Sequence, residues 1–319
     1  MVKILANDGI SKSGIEALEE KGFEVITEKV NQEDLISTIN SENYEVLLVR
    51  SATTARKELI DACPNLKIIG RGGVGMDNID VEYAKEKGLE VYNTPAASSS
   101  SVAELVFSHL FGMVRFLYES NRQMPLEGDT NFKDLKKAYA GGKELAGKTL
   151  GIIGFGKIGQ EVAKRAIGLG MNVLAHDKFT TEASITLSFF NGDKKTFTIE
   201  TTSLENVLEG SDFVTLHIPK TGEKAVIGAE EIGLMKTGAG IINTARGGVI
   251  DEDALMFALD KGKLEYAALD VFTNEPNPSM HLMMHNSISL TPHIGAATLE
   301  AQDRIGVELA DKIITFFNK

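Results

Sequence analysis

Two periodicities alternate along the first third of this chain. Short apolar runs at 2–6, 23–26, 46–49, 67–69 and 89–92 read as buried strands. The segments between them, near 13–21, 31–39, 54–62 and 81–87, space their apolar residues as helices do. Repeated strand–helix alternation predicts a parallel, doubly wound sheet. A small, polar stretch from Asn93-Thr94-Pro95 to Ser101 closes this lobe. It reads either as a linker that caps a helix or as a hinge beside a cleft. Residues 102 to about 121 are apolar on almost every face, which predicts one helix buried all round, bridging two lobes and meeting a partner subunit. The polar residues 122–147 follow as an extended connection with a short helix.

A second alternation begins at Lys148, with strands expected at 149–153, 172–176, 213–216, 240–243, 266–269 and 287–290. Between 177 and 204 the period changes. Ile185, Leu187 and Phe189 alternate with polar residues, Asn191-Gly192 follows, and Phe197 and Ile199 alternate again, which predicts a β-hairpin near the adenosine end of a cofactor. Residues 298–317 read as a closing helix that returns to the first lobe. The expected fold is α/β, with two doubly wound parallel-sheet lobes and a cleft between them. Residues 1–100 with 291–319 form a flavodoxin-like substrate lobe, and residues 101–290 a Rossmann nucleotide lobe.

The junction at Gly154 changes the picture from fold to chemistry. The apolar run 149–153 passes into Gly154, Gly156 and Gly159 and then directly into a helix-forming sequence. Gly154 allows the tight turn, Gly156 the approach of a pyrophosphate, and Gly159 close helix–strand packing. The helix start offers N–H groups to phosphate. The next expected strand ends at Asp177, an acid placed to bind both ribose hydroxyls of NAD and to repel the extra phosphate of NADP.

Composition bounds the partners. The 319 residues suit two domains, and a net charge of −12 argues against nucleic acid or an anionic membrane as the main partner. An anionic substrate then needs a local cationic pocket. The lone Cys63 excludes an internal disulfide and fits a reducing compartment. No apolar run reaches membrane-spanning length and no leader pattern opens the chain, so a soluble cytoplasmic protein is expected.

Three loops after expected strands carry the remaining chemistry: Asn243 to Gly248, Asp270 to Pro276, and Thr291 to Thr298. Ligands bind outside the carboxyl ends of strands in open α/β sheets. Hydride exchange with a ketone needs a permanent cation to grip a carboxylate, a group that trades a proton near neutral pH, and a carboxylate to orient that group. Arg246, His293 and Glu275 supply these types. Each taken singly could equally be a surface ion pair, a structural histidine or a turn residue.

These motifs resemble the NAD-dependent D-2-hydroxyacid dehydrogenases. The likeness rests on the Gly154–Gly159 fingerprint with Asp177, Leu216-His217-Ile218-Pro219, Thr244-Ala245-Arg246-Gly247-Gly248, Asn274-Glu275-Pro276 and Pro292-His293-Ile294-Gly295-Ala296. The resemblance implies a two-lobed fold, a homodimer built through the nucleotide domains, and an Arg246, Glu275, His293 triad. It implies pyrophosphate contacts from Lys157 and Ile158, and Thr244 and Asp270 near the nicotinamide carboxamide. His217, Ile218, Pro219, Ala245, Arg246, His293, Gly295 and Ala296 then line the cofactor, His217 with packing as an equal alternative.

In the first lobe, Arg50-Ser51 and Arg71-Gly72-Gly73-Val74-Gly75 each put an arginine at a strand end, and the glycine loop presents N–H groups to a carboxylate. Two arginines suit a second anion such as phosphate. With Asn93-Thr94-Pro95 they resemble the 3-phosphoglycerate dehydrogenase branch of the family. That branch oxidises 3-phospho-D-glycerate to 3-phosphohydroxypyruvate, the entry to serine. The alternatives are a glyoxylate or hydroxypyruvate reductase and an NAD-sensing corepressor-like binding protein. Lys178 stands after Asp177 where the family often has proline, which leaves NADP open. The sequence ends 26 residues after His293, so a short form without C-terminal regulatory domains is expected.

Overall fold

A computed structural model of the chain describes residues 1–318. Two compact units divide it, Met1–Ser101 with Ala296–Lys319, and Val102–Gly295. The first runs β1 (Lys3–Ala6), α1 (Lys12–Glu19), β2 (Glu24–Ile26), α2 (Leu35–Glu42), β3 (Val46–Val49), α3 (Lys57–Ala62), β4 (Ile68–Arg71), α4 (Val81–Glu86), β5 (Glu90–Asn93). Its five strands are all parallel, in the order β2-β1-β3-β4-β5. That is the flavodoxin-like order, with its switch point between β1 and β3. Val46 to Val49 are buried throughout, as a central strand covered on both faces requires. Each such fully buried aliphatic side chain contributes about 1.5–3 kcal/mol.

The second unit opens with helical structure: α5 (Ser99–Val114), α6 (Leu117–Glu127) and α7 (Phe132–Ala138). The single helix expected over 102–121 is two helices, bent by 55° at the break. Phe116 there takes a left-handed conformation, φ 53°, with its ring 5.8 Å from that of Tyr139. Burial differs across the break. Val106, Leu110 and Val114 are enclosed beside Leu150 and Ile152, whereas Leu117 is 62% exposed. The apolar face of α5 is not closed all round either, since Phe111 is 44% exposed.

Then follow β6 (Thr149–Ile153), α8 (Lys157–Gly168), β7 (Asn172–His176), β8 (Glu182–Ser188), β9 (Lys194–Glu200), α9 (Leu204–Gly210), β10 (Phe213–Leu216), α10 (Ala229–Leu234), β11 (Ala239–Asn243), α11 (Glu252–Asp260), β12 (Leu264–Leu269), α12 (Met280–Met283) and β13 (Ile288–Leu290). Six of the strands form one parallel sheet, β13-β12-β11-β10-β6-β7. The order reverses between β6 and β10, so that gap is the switch point where α/β sheets take ligands.

Strands β8 and β9 form the expected antiparallel hairpin, in register from Glu182↔Glu200 to Ser188↔Lys194. Its turn is not the two-residue Asn-Gly type. Phe189 N–H donates to Asp193 O at 2.9 Å, so Phe190, Asn191 and Gly192 make a three-residue loop with Gly192 left-handed, φ 89°. One bridge, Ala175↔Thr201, ties the hairpin to β7.

The last helix, α13 (Leu299–Phe317), is capped by Thr298, whose hydroxyl accepts from Ala301 N–H. Its buried face, Ile305, Leu309 and Ile313, covers the first unit's sheet beside α1. No single helix among the described residues is long and apolar enough to cross a membrane.

Candidate active site and cofactor cradle

The glycine loop has the geometry its sequence demands. Gly154 is left-handed (φ 96°), and its N–H donates to His176 O at 2.8 Å. A Cβ on Gly159 would stand 2.1 Å from the Gly154 carbonyl oxygen, so any side chain there would push α8 off the strand. A Cβ on Gly156 would meet nothing within 4 Å, and Gly156 places no side-chain cap on the helix. The N–H groups of Lys157, Ile158 and Gly159 have no intrahelical acceptor. An open, glycine-floored helix start of this kind fits a pyrophosphate.

Asp177 ends β7 with three backbone N–H groups on its carboxylate. Oδ2 accepts from Phe155 at 2.6 Å, and Oδ1 accepts from Phe179 at 2.8 Å and Thr180 at 2.9 Å. Burial alone would raise its pKa, but the amide bonds outweigh burial and hold the carboxyl below its ordinary value. Those bonds fix the orientation of the carboxylate at the end of β7.

Among the described residues, His217 Nδ1 and Thr244 Oγ1 at the C-terminal strand ends are buried without a hydrogen-bond partner. The other ring nitrogen of His217 pairs with Thr215 Oγ1 at 3.1 Å, and burial pushes the imidazole pKa down to about 3. Orphaned buried polar atoms call for a ligand or water. They lie at the ends of β10, which borders the switch point, and of its neighbour β11, and so fit a dinucleotide as well. Ile218 and Pro219 continue from His217, with Ile218 partly buried and Pro219 exposed.

The proton-transfer candidates meet in one place. His293 Nδ1 lies 2.8 Å from Glu275 Oε2. The other oxygen of Glu275 accepts the Phe272 N–H at 2.8 Å. His293 itself is left-handed, φ 55°, a conformation uncommon outside glycine. Asp270 pins the residues that follow it: Ile294 N–H donates to Oδ1 at 2.8 Å and Gly295 N–H to Oδ2 at 2.9 Å. Asp270 is fully buried with both oxygens engaged, so it anchors this loop.

Arg246 sits on a turn shaped by Asn243, whose side chain accepts from Ala245 N–H at 3.0 Å and donates to Arg246 O at 2.9 Å. The next residue, Gly247, packs so tightly on the Glu275 loop that a Cβ would come 1.8 Å from Phe272 O. The Arg246 turn and the Glu275–His293 pair are thus neighbours at the ends of β11, β12 and β13. Ala296 follows this loop in the chain and falls in the first unit.

In the first unit, Arg50 and Ser51 line a cavity of about 380 Å³ at the ends of β1, β2 and β3. Asp8 shapes it by accepting Arg50 N–H at 2.7 Å and Thr53 N–H at 3.0 Å. Lys29 lines the same cavity, a residue passed over in the sequence although it stands just past a strand end. The glycine loop departs from expectation. Gly72 N–H donates to Val49 O and Gly73 N–H to Arg71 O, so only Val74 and Gly75 keep amides without a protein acceptor among the described residues. Asn93 holds this loop by donating to Val74 O at 2.7 Å.

A family model described as "D-isomer specific 2-hydroxyacid dehydrogenase, NAD binding domain" matches residues 107–295. The chain belongs to that family of NAD-dependent oxidoreductases. It is 42% identical over 316 residues to a hydroxypyruvate reductase of Thermotoga maritima, covering 98% of this chain and 97% of that one. It is 41% identical over 315 residues to a D-3-phosphoglycerate dehydrogenase of Methanocaldococcus jannaschii, covering 98% of this chain but 57% of that protein. Among solved structures, the NAD⁺-bound 3-phosphoglycerate dehydrogenase of Entamoeba histolytica superposes with a TM-score of 0.77 at 29% identity, over 100% of this chain and 96% of that one.

Proposed function

We propose that this chain oxidises 3-phospho-D-glycerate to 3-phosphohydroxypyruvate, and runs the reverse reduction, with NAD. The observation that carries the substrate is the presence of Lys29 and Arg50 in one cavity, where the Asp8 carboxylate, 4.0 Å from Lys29 Nζ, offsets part of their charge. Two cations at strand ends suit a phosphate better than a neutral hydroxymethyl group. Arg71 and the Val74 and Gly75 amides beside it suit the carboxylate.

Glycines 154, 156 and 159, with the Lys157 and Ile158 amides, would hold the pyrophosphate of NAD. Asp177 would hold its ribose, and His217, Ile218, Pro219, Thr244, Ala245, Gly295 and Ala296 its nicotinamide half. When bound, NAD supplies the carbon that accepts the hydride from C2 of the hydroxy acid. Arg246 grips the substrate carboxylate through its fork of N–H donors. With Nδ1 turned to Glu275, His293 presents Nε2 to the substrate. That nitrogen takes the hydroxyl proton as the C–H bond breaks, and returns it to the carbonyl oxygen in the reverse direction. Glu275 fixes the ring's orientation and stabilises the charge it gains.

A hydroxypyruvate or glyoxylate reductase is the second reading, favoured by the 42% identity that spans nearly the whole Thermotoga reductase. Assembly as a homodimer through the nucleotide domain is part of the proposal, supported by Leu117, Leu126 and Phe132 standing exposed on α6 and α7. The deciding experiment follows NADH absorbance with phosphohydroxypyruvate and with hydroxypyruvate. A kcat/KM at least tenfold higher for the phosphorylated acid supports the first reading, and equal values support the second.

A further inference from the structure

Helix α5 carries a histidine that the chemistry above does not use. His109 is 4% exposed, yet both ring nitrogens have oxygen partners. Nδ1 lies 2.8 Å from Ser289 Oγ, and Nε2 lies 3.1 Å from Thr291 Oγ1. Ser289 is on β13, and Thr291 stands just past it, two residues before His293. Thr291 Oγ1 also lies 2.6 Å from Asp270 Oδ1, the oxygen that accepts the Ile294 N–H.

The proton positions follow by elimination. A carboxylate only accepts, so the single hydroxyl proton of Thr291 goes to Asp270. Thr291 then has only lone pairs to offer His109, and Nε2 must carry the ring proton. Burial lowers the pKa of His109, outweighing the attraction of Asp270, so the ring holds one proton and no more. Nδ1 is therefore bare and accepts from Ser289. Every donor and acceptor in the row has one role. A leucine at this core position would bury without the desolvation cost of an imidazole, so the ring's presence points to its hydrogen bonds.

We propose that His109, as the neutral Nε2–H tautomer, is a positioning residue for the reaction. It completes the bonding of Thr291 and thereby holds Asp270 in the orientation that fixes the His293–Gly295 turn. This rests on His293 being the group that exchanges the proton.

Three variants test the role. In His109→Gln the side-chain amide still reaches Thr291, in His109→Asn it is too short, and His109→Leu offers no polar atom. A positioning role predicts that kcat falls about tenfold in the Leu and Asn variants, the equivalent of one lost hydrogen bond. KM for NADH stays level, and the Gln variant returns to within about twofold of the parent. Equal kcat in all of them, or joint loss of kcat and NADH affinity that Gln does not repair, overturns it. Long-range ¹H–¹⁵N correlation of the ring, assigned by the signal lost in His109→Gln, reads the tautomer without any assay. A protonated Nε2 and bare Nδ1 across about pH 6 to 8 is expected. A protonated Nδ1, or an imidazolium, overturns the assignment. Failure to reduce any 2-keto acid would sink the proposed reaction instead, and leave the ring measurement standing.

Discussion

Glu275 reaches His293 with one carboxylate oxygen and its own loop's backbone with the other, at 2.8 Å in both directions. The imidazole is thus referred to a main-chain N–H three residues before the carboxylate, and the pair cannot rotate independently. Replacing Glu275 by Gln keeps the shape but can present an amide to Nδ1 and reverse the ring's tautomer. The expected result is a fall in kcat of about 10², with KM for NADH within about twofold of the parent. Stopped-flow reduction of the keto acid measures it, and an unchanged kcat would remove Glu275 from the mechanism.

His293→Ala takes away the proton carrier. A loss of about 10² to 10⁴ in kcat is expected. NADH binding, followed by its fluorescence, should hold. If binding falls with turnover, the residue is structural.

Arg246→Lys tests the fork of N–H groups rather than the charge. The Arg246 Nη1 already donates to the Ala245 carbonyl at 2.6 Å, which sets the plane of the guanidinium. Lysine cannot reproduce that planar arrangement. Steady-state kinetics should show kcat/KM for the 2-keto acid reduced by about tenfold or more, with NADH affinity kept.

Lys29→Ala separates phosphate recognition from catalysis. It should lower kcat/KM for phosphohydroxypyruvate by about tenfold while leaving hydroxypyruvate nearly untouched, as loss of one charge-assisted contact implies. An equal effect on both acids would place the phosphate elsewhere.

Asp177 predicts a pH dependence of stability. Its pKa in the folded protein lies below the ordinary value of 3.8. The carboxylate therefore contributes stability that is fully present above that value and is lost as pH falls through the folded pKa. Asp177→Asn should flatten the acid limb of a denaturation series below about pH 4. It should also raise KM for NAD. An unchanged acid limb would mean that the three amide bonds add nothing.

Much of this architecture was legible because it depends on local pattern. The strand runs, the glycine turn at 154–159 and the acid at the end of β7 are each set by residues close together in sequence. The hairpin was legible for the same reason, though its turn is one residue longer because Phe190 joins Asn191 and Gly192 in the loop. What could not be read depends on contacts between distant segments. Phe116 breaks the long helix with no glycine or proline to announce it, beside a tyrosine 23 residues on. The anchoring role of Asp270 is of this kind, because the amides that it holds come from a loop 24 and 25 residues later. The Gly72 and Gly73 amides are taken by Val49 and by the strand end itself. Lys29 reaches its cavity only because β2 lies beside β1, at the edge of its sheet.

Among the described residues the nucleotide sheet has no further parallel strand beyond β7, and what lies there is the hairpin, fastened by the Ala175–Thr201 bridge and the Thr202 N–H on Ala175 O. An uncovered outer strand is a template onto which a foreign chain can add. By fastening here, the β8–β9 arm occupies the open edge of β7 at Ala175. Ile185 seats the arm in the same core as Val162 and Ala163 of α8, whereas Phe190 at its tip stands exposed, so the arm is rooted along its stem and bare at its end.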